Sequence, residues 1–86
     1  MVALETMQMN DIVVYASDIN AQKTIAEQNL KGPTAIIMGS EDKGVSRKAI
    51  QIADDSIKIP QVDSFDSLNV SVAAGIILYE VLLQRV

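Results

Sequence analysis

The sequence predicts an α/β fold in which a parallel sheet is covered by helices on both faces. Three short apolar runs rich in β-branched residues alternate with segments whose apolar residues recur at helical spacing. Continuous apolar runs are typical of parallel strands buried on both sides, and the alternation favours strands joined by crossover helices. The 86 residues contain no linker, internal repeat or low-complexity tract, so we expect one domain over residues 1–86.

The first half of the chain predicts a helix, a strand and a second helix. Met1–Asn10 has weak helical spacing, and the run DIVVYAS at Asp11–Ser17 has the length and composition of a strand. Apolar residues then recur at helical spacing over Ala21–Leu30. The sequence KGP at Lys31–Pro33 ends that segment, because glycine accepts a positive φ and proline does not continue a helix.

The second half predicts two further strands and two further helices. TAIIMG at Thr34–Gly39 is a buried strand, and Ser46 caps a helix over Arg47–Ala53. SIKIP at Ser56–Pro60 is a third strand, and Val70–Arg85 is the last helix. Because ligands bind beyond the carboxyl ends of parallel strands, we expect a site in the loops that follow the three strands.

The composition of the chain argues against several classes of protein. The net charge is −4, and only the stretch Lys43–Lys48 is locally basic, which argues against autonomous nucleic-acid binding. The chain has no cysteine and no histidine, so we expect no disulfide and no metal site. Lack of cysteine fits a cytoplasmic protein. The apolar last helix is too short and too interrupted for a membrane span.

Two loops at the predicted carboxyl edge carry the residues that suggest a site. In MGSEDKG, at Met38–Gly44, two glycines let the backbone turn sharply and let a ligand approach it. In SFDSLNVSVAAGIILYE, at Ser64–Glu80, short polar residues stand before an almost wholly apolar helix. The alternatives are a plain turn with a solvated Glu41 and a helix capped by Ser67 or Asn69. One residue is enough to cap a helix, so the surplus of polar residues favours a ligand.

The two loops together resemble a known family. AIIMGSEDKGVS and IKIPQVDSFDSLNVSVAAGIILYEVLLQR are similar to the second and third motifs of the SpoU-type (TrmH-like) RNA methyltransferases of the SPOUT superfamily. The resemblance implies transfer of a methyl group from S-adenosylmethionine to a ribose 2′-OH of ribosomal or transfer RNA. It also implies a trefoil knot near the C-terminus and a homodimer packed through that region.

The resemblance also assigns roles to individual residues. The matched positions are, for contact with S-adenosylmethionine, Gly39, Ile59 and Leu68, and, for catalysis, Glu41, Ser67 and Asn69. The family's first motif, which carries an arginine, has no counterpart in this chain. We therefore expect the chain to be the C-terminal portion of a catalytic domain, truncated and inactive on its own.

Three functions stay open at this point. They are part of an RNA 2′-O-methyltransferase, a non-catalytic fragment that binds S-adenosylmethionine or dimerises, and a generic α/β nucleotide-binding protein. Val70–Arg85 is apolar on nearly every side, with Glu80 and Gln84 as a narrow polar stripe. Since the sheet covers only one side of such a helix, we expect a homodimer through it.

Overall fold

The protein is built on a three-stranded parallel sheet whose first strand is central. The computed structural model describes residues 2–39, 44–60 and 69–86. Its elements are α1 (Val2–Met9), β1 (Val13–Ser17), β2 (Thr34–Ile37), α2 (Arg47–Ile52), β3 (Asp55–Ile57) and α3 (Val70–Arg85). The strands lie in the order β2-β1-β3, and β1 pairs in parallel with both neighbours.

One face of the sheet packs against α3. Tyr15 of β1 and Ile36 of β2 are register partners, so their side chains point to the same side. Ile36 packs against the main core cluster, which is formed by Tyr15, Ile25, Leu30, Ile57 and Ile77. Ile77 belongs to α3 and is only 1% exposed. The core therefore lies between the sheet and α3.

The other face is left to α1 and α2. Val14 and Ala16 of β1 point to this side and are completely buried. Ala49 of α2 is buried as well. Gln8 Nε2 of α1 donates to the carbonyl of Ile52, at the end of α2, at 2.7 Å. The predicted parallel sheet with helices on both faces is confirmed.

The predicted helix over Ala21–Leu30 is wrong. This part of the chain forms turns, and one parallel bridge joins Thr24 to Lys58, just beyond β3. The amide of Lys58 donates to the carbonyl of Lys23 at 3.1 Å, and the amide of Ile25 donates to the carbonyl of Lys58 at 2.9 Å. Ala21, Ile25 and Leu30 are buried as expected, whereas Ala26 is exposed. The backbone of this segment bonds to Lys58, the residue after β3, rather than along a helix.

The first strand begins two residues later than predicted because a helix stop occupies those residues. The amide of Asp11 donates to the carbonyl of Gln8 at 3.1 Å, and the amide of Ile12 donates to the carbonyl of Met7 at 3.0 Å. This pair of bonds is the Schellman motif, and Asp11 takes its left-handed position with φ 63°. DIVVYAS therefore divides into a turn and the strand VVYAS.

The remaining elements follow the prediction closely. α3 spans Val70–Arg85 as predicted, and α2 ends one residue early. The hydroxyl of Ser46 accepts from the amide of Ala49 at 3.2 Å, so the predicted cap is confirmed. β2 ends two residues early, at Ile37, and β3 is shifted and shorter than predicted, because it begins one residue early, at Asp55, and ends three residues early, at Ile57.

The trefoil knot stays a prediction. The connections that would form it include residues 40–43 and 61–68, which lie outside the described residues. Within the described ranges, no helix combines the length and the apolar character that a membrane crossing requires.

Candidate functional site

The carboxyl ends of the three strands meet at one edge of the sheet. Since β1, β2 and β3 are parallel, the residues that follow them lie along this edge. These include Gly39 after β2 and Lys58–Pro60 after β3. α2 connects β2 to the parallel strand β3 and therefore begins at the same edge. We call this region, including Gly44–Ser46 at the start of α2, the carboxyl edge.

Gly39 lies against the backbone of its own loop. A Cβ at Gly39 would overlap the carbonyl carbon of Gly44 and the amide nitrogen of Val45. Gly44 itself has φ +68° and nothing within 4 Å of the position of a Cβ. Gly39 is therefore required for close packing and Gly44 for its left-handed conformation. The space that the sequence suggested for a ligand at Gly39 is filled, on the Cβ side, by the protein itself.

Ile59 forms part of an apolar wall at the carboxyl edge. Ile59 and Met38 are both half-buried and pack against the core cluster on the α3 side of the sheet. Each follows a different outer strand, so they stand on the two sides of the end of β1. Their exposed portions are suited to contact with a flat apolar group such as a purine ring.

Asn69 begins α3 and caps it. Its Oδ1 accepts from the amide of Ser71 at 2.8 Å, and its carbonyl accepts from the amide of Ala73 at 2.8 Å. The capping alternative is therefore confirmed for this residue. A cap fixes the direction of the side chain, which a rim residue of a binding site also requires.

The other three predicted site residues are Glu41, Ser67 and Leu68, and they lie outside the described residues. Their roles stay predictions. Among the residues that the structure does describe, no group of acidic, histidine or cysteine side chains is placed to hold a metal ion.

Sequence reasoning missed a segment that borders the carboxyl edge. Residues 23–25 lie beside Lys58, which directly precedes Ile59. Glu27 accepts from the amide of Thr24 at 2.8 Å. This bond lowers the pKa of the Glu27 carboxyl, and the nearby charges of Lys58 and Lys23 lower it further. No local signal marks this arrangement, because the spacing of the apolar residues reflects burial and not a helix.

Comparison with known proteins identifies the family. The model of the SpoU rRNA Methylase family matches residues 2–79, which include both motif loops. The chain belongs to this family. The 23S rRNA (guanosine-2′-O-)-methyltransferase RlmB of Pseudomonas aeruginosa is 42% identical over 82 residues, which are 95% of this chain and 33% of that protein. The chain thus spans about a third of the length of this relative.

Solved structures of related enzymes share the fold. The A. aeolicus TrmH/SpoU tRNA modifying enzyme superposes with a TM-score of 0.85 at 35% identity, over 96% of this chain and 43% of that one. The SpoU methyltransferase AviRb from Streptomyces viridochromogenes, in complex with AdoMet, gives a TM-score of 0.86 at 29% identity. That match covers 98% of this chain and 34% of AviRb. These neighbours confirm the predicted fold class.

Proposed function

We propose that this chain forms the S-adenosylmethionine-binding part of an RNA ribose 2′-O-methyltransferase. The observation that carries the proposal is the family match over residues 2–79, which spans both loops of the carboxyl edge. The complex of AviRb with AdoMet supports the same ligand here. Ribosomal or transfer RNA is the expected substrate of the complete enzyme, and we expect it to act in the cytoplasm.

The residues of the carboxyl edge fit the needs of methyl transfer. When bound, S-adenosylmethionine supplies a methyl group on a sulfonium, which leaves readily, so the protein needs little acid–base chemistry on that side. It must instead hold the methyl carbon and the attacking oxygen in line. Ile59 and Met38 offer an apolar wall for the adenine, and the tightly packed loop at Gly39 offers a rigid backbone edge.

Activation of the ribose hydroxyl is the more demanding step. The chain has no histidine, so the proton acceptor must come from another residue type. Glu41, Ser67 and Asn69 are the residues we assign to orient the ribose and handle its proton. The arginine-bearing first motif has no match in this sequence, so we expect this chain alone to bind the cofactor without turnover.

Calorimetric titration of S-adenosylmethionine into the purified chain tests the proposal. We expect saturable binding, and we expect Ile59→Ala to weaken it about tenfold, which corresponds to roughly 1.4 kcal/mol of lost contact. Ile52→Ala is the matched control, because Ile52 is also a half-buried isoleucine but lies at the opposite end of α2. Equal affinities for the two variants, or no binding to the unmodified chain, would contradict the proposal.

The non-catalytic alternative is a dimerisation fragment, and the outward side of α3 favours association. Val72, Ile76, Leu78, Tyr79, Leu82 and Leu83 are exposed there. A continuous apolar surface of this kind is usually an interaction site. We therefore propose a homodimer through α3, which is compatible with either function.

A charge on the outward side of α3 tests the homodimer. Leu82 is 55% exposed, whereas Ile77 of the same helix is buried in the core, so a charge at Leu82 probes a partner without disturbing the core. We expect Leu82→Glu to weaken self-association by about tenfold or more, because an unpaired charge is costly in a dry interface. Sedimentation equilibrium measures this, with Gln22→Glu as a control of equal charge on an exposed residue away from α3. A monomeric unmodified chain at micromolar concentration would rule the homodimer out.

A further inference from the structure

The first turn of α2 carries two adjacent cations. Arg47 and Lys48 are the first two residues of the helix, both are exposed, and the turn contains no acidic residue. The amino end of a helix has a partial positive charge, so cations there are placed unfavourably. The carboxyl end of α2 also has charges of the unfavourable sign nearby, since Asp54 and Asp55 follow its C-cap, Ala53.

The acidic residues at the other end of α2 have structural partners. Asp54 Oδ2 accepts from the amide of Val14 at 2.7 Å, and Asp55 Oδ2 accepts from Gln28 Nε2 at 2.8 Å. These bonds compensate for the unfavourable position of the two carboxylates. Within the described ranges, neither Arg47 nor Lys48 has an ion pair or a side-chain hydrogen bond.

Three of the other four described cations differ from this pair, and the fourth, Lys31, is exposed but has no basic neighbour in the sequence. Arg85 donates to the carbonyls of Leu30 at 3.3 Å and Gly32 at 2.7 Å, so it ties α3 to the segment before β2. Lys23 and Lys58 lie close enough to Glu27 to lower the pKa of its carboxyl. Arg47 and Lys48 are therefore adjacent, exposed cations without a partner among the described residues, in a chain whose net charge is −4.

The position of the pair relates it to the candidate site. Gly39 packs against the backbone of Gly44 and Val45, which immediately precede the cap of α2. Arg47 follows Gly44 by three residues, so their Cα atoms are at most about 11 Å apart. A nucleotide whose ribose reaches the carboxyl edge carries phosphates on both sides of that ribose. Two cations next to the edge are complementary to those phosphates.

We propose that Arg47 and Lys48 bind the phosphate backbone of the substrate RNA beside the target nucleotide. This inference rests on the proposed function, because it takes the carboxyl edge as the methyl-transfer site. Arg47 suits bidentate contact with a phosphate, and Lys48 adds a second point charge one residue away. Contacts of this kind position the strand without reading its sequence.

The salt dependence of RNA binding tests the proposal. We would measure fluorescence anisotropy of a labelled, single-stranded 12-nucleotide RNA of mixed sequence from low to moderate salt. Each phosphate contact to a single strand contributes about 0.7 to the slope of log affinity against log salt concentration. We therefore expect Arg47→Gln and Lys48→Gln each to reduce the slope by about 0.7, and the double variant by about 1.4.

Lys31→Gln is the matched control, because it removes one positive charge at the other end of β2. Lys31 is exposed and lies just before that strand, at its amino end. We expect this variant to keep the slope of the unmodified chain. An equal reduction of the salt slope in all three single variants would overturn the proposal, because it would show only an effect of net charge. Absence of RNA binding at low salt would overturn it as well.

Titration of S-adenosylmethionine into the same variants separates this inference from the proposed function. We expect unchanged cofactor affinity in Arg47→Gln and Lys48→Gln. Normal cofactor binding together with an unchanged salt slope would reject the RNA contact alone. Loss of cofactor binding in the unmodified chain, with the slopes still reduced in the variants, would reject the methyltransferase proposal and leave the phosphate site in place.

Discussion

The sheet-facing side of α3 carries polar side chains, whereas its outward side is mainly apolar. Gln84 and Glu80 are half-buried, and Gln84 Nε2 donates to Glu80 Oε2 at 3.0 Å. Tyr79 and Leu82, on the outward side, are 62% and 55% exposed. An ordinary surface helix directs polar residues toward water, so the exposed apolar residues of α3 are unusual, although Ala73 and Ile77 are buried on its sheet-facing side as in other helices.

The side chain of Gln84 forms hydrogen bonds to the backbone of residues 25–30, which is neither helix nor strand. Gln84 Oε1 accepts from the amide of Leu30 at 2.7 Å, and its Nε2 donates to the carbonyls of Gln28 at 3.0 Å and Ile25 at 3.3 Å. One side chain thus supplies hydrogen bonds that a helix over this segment would have made internally. The comparison shows that α3 organises the core on one side and leaves an apolar surface exposed on the other.

The largest expected effect is on the inward side. Ile77→Ala removes a side chain from the centre of the core cluster, so we expect the free energy of unfolding to fall by about 2–5 kcal/mol. Leu82→Ala, on the outward side of the same helix, is the control, and we expect a much smaller change at concentrations where the chain is monomeric. Urea unfolding followed by circular dichroism measures both. An equal decrease in the free energy of unfolding for the two variants would mean that the two sides of α3 contribute equally to stability.

A smaller effect is expected from the polar contacts on the inward side. Gln84→Ala leaves the amide of Leu30 and two carbonyls without their partner, and we expect a loss of about 1–3 kcal/mol in the free energy of unfolding. Hydrogen exchange should show the loss of protection first at the Leu30 amide, because that amide donates directly to Gln84. Unchanged exchange at Leu30 would show that water replaces the side chain without cost.

The same comparison explains how far the sequence predicts the fold. α3 was predictable to the residue because its signals are local, namely a cap at Asn69 and a long apolar run. The segment 21–30 was not, because its backbone depends on Gln84, which is more than 50 residues away in the chain. Asp11 likewise resembled the start of a strand, and only the bonds to Met7 and Gln8 make it a helix stop.

The sequence predicted where the candidate site lies but not the contacts within it. The order of strands and helices was enough to bring Gly39 and Ile59 to one edge of the sheet. It did not reveal that the Cβ side of Gly39 is occupied by Gly44 and Val45, because that contact depends on the exact path of the loop. It also did not reveal residues 23–25, which reach the edge through pairing with Lys58.

The smallest expected effect concerns Asp55, which is linked to the inward side of α3 through Gln28 and Gln84. The hydrogen bond from Gln28 Nε2 lowers the pKa of the Asp55 carboxyl below its ordinary value of 3.8, and the amide of Ser56 and the charge of Lys23 add to this. A carboxyl whose pKa is lower in the folded state stabilises that state above the unfolded pKa. This stabilisation is lost as the pH falls through the folded pKa.

We therefore expect the unfolding free energy to decrease as the pH falls below about 4, with Asp55 contributing a few tenths of a kcal/mol because it is exposed to solvent. Asp55→Asn keeps an acceptor for Gln28 but does not titrate, so its stability should fall less steeply over the same range. Urea unfolding at pH 3, 4 and 6 provides the comparison. An equal decrease in the unfolding free energy of the two proteins would show that the bond between Asp55 and Gln28 does not depend on the charge of the carboxylate.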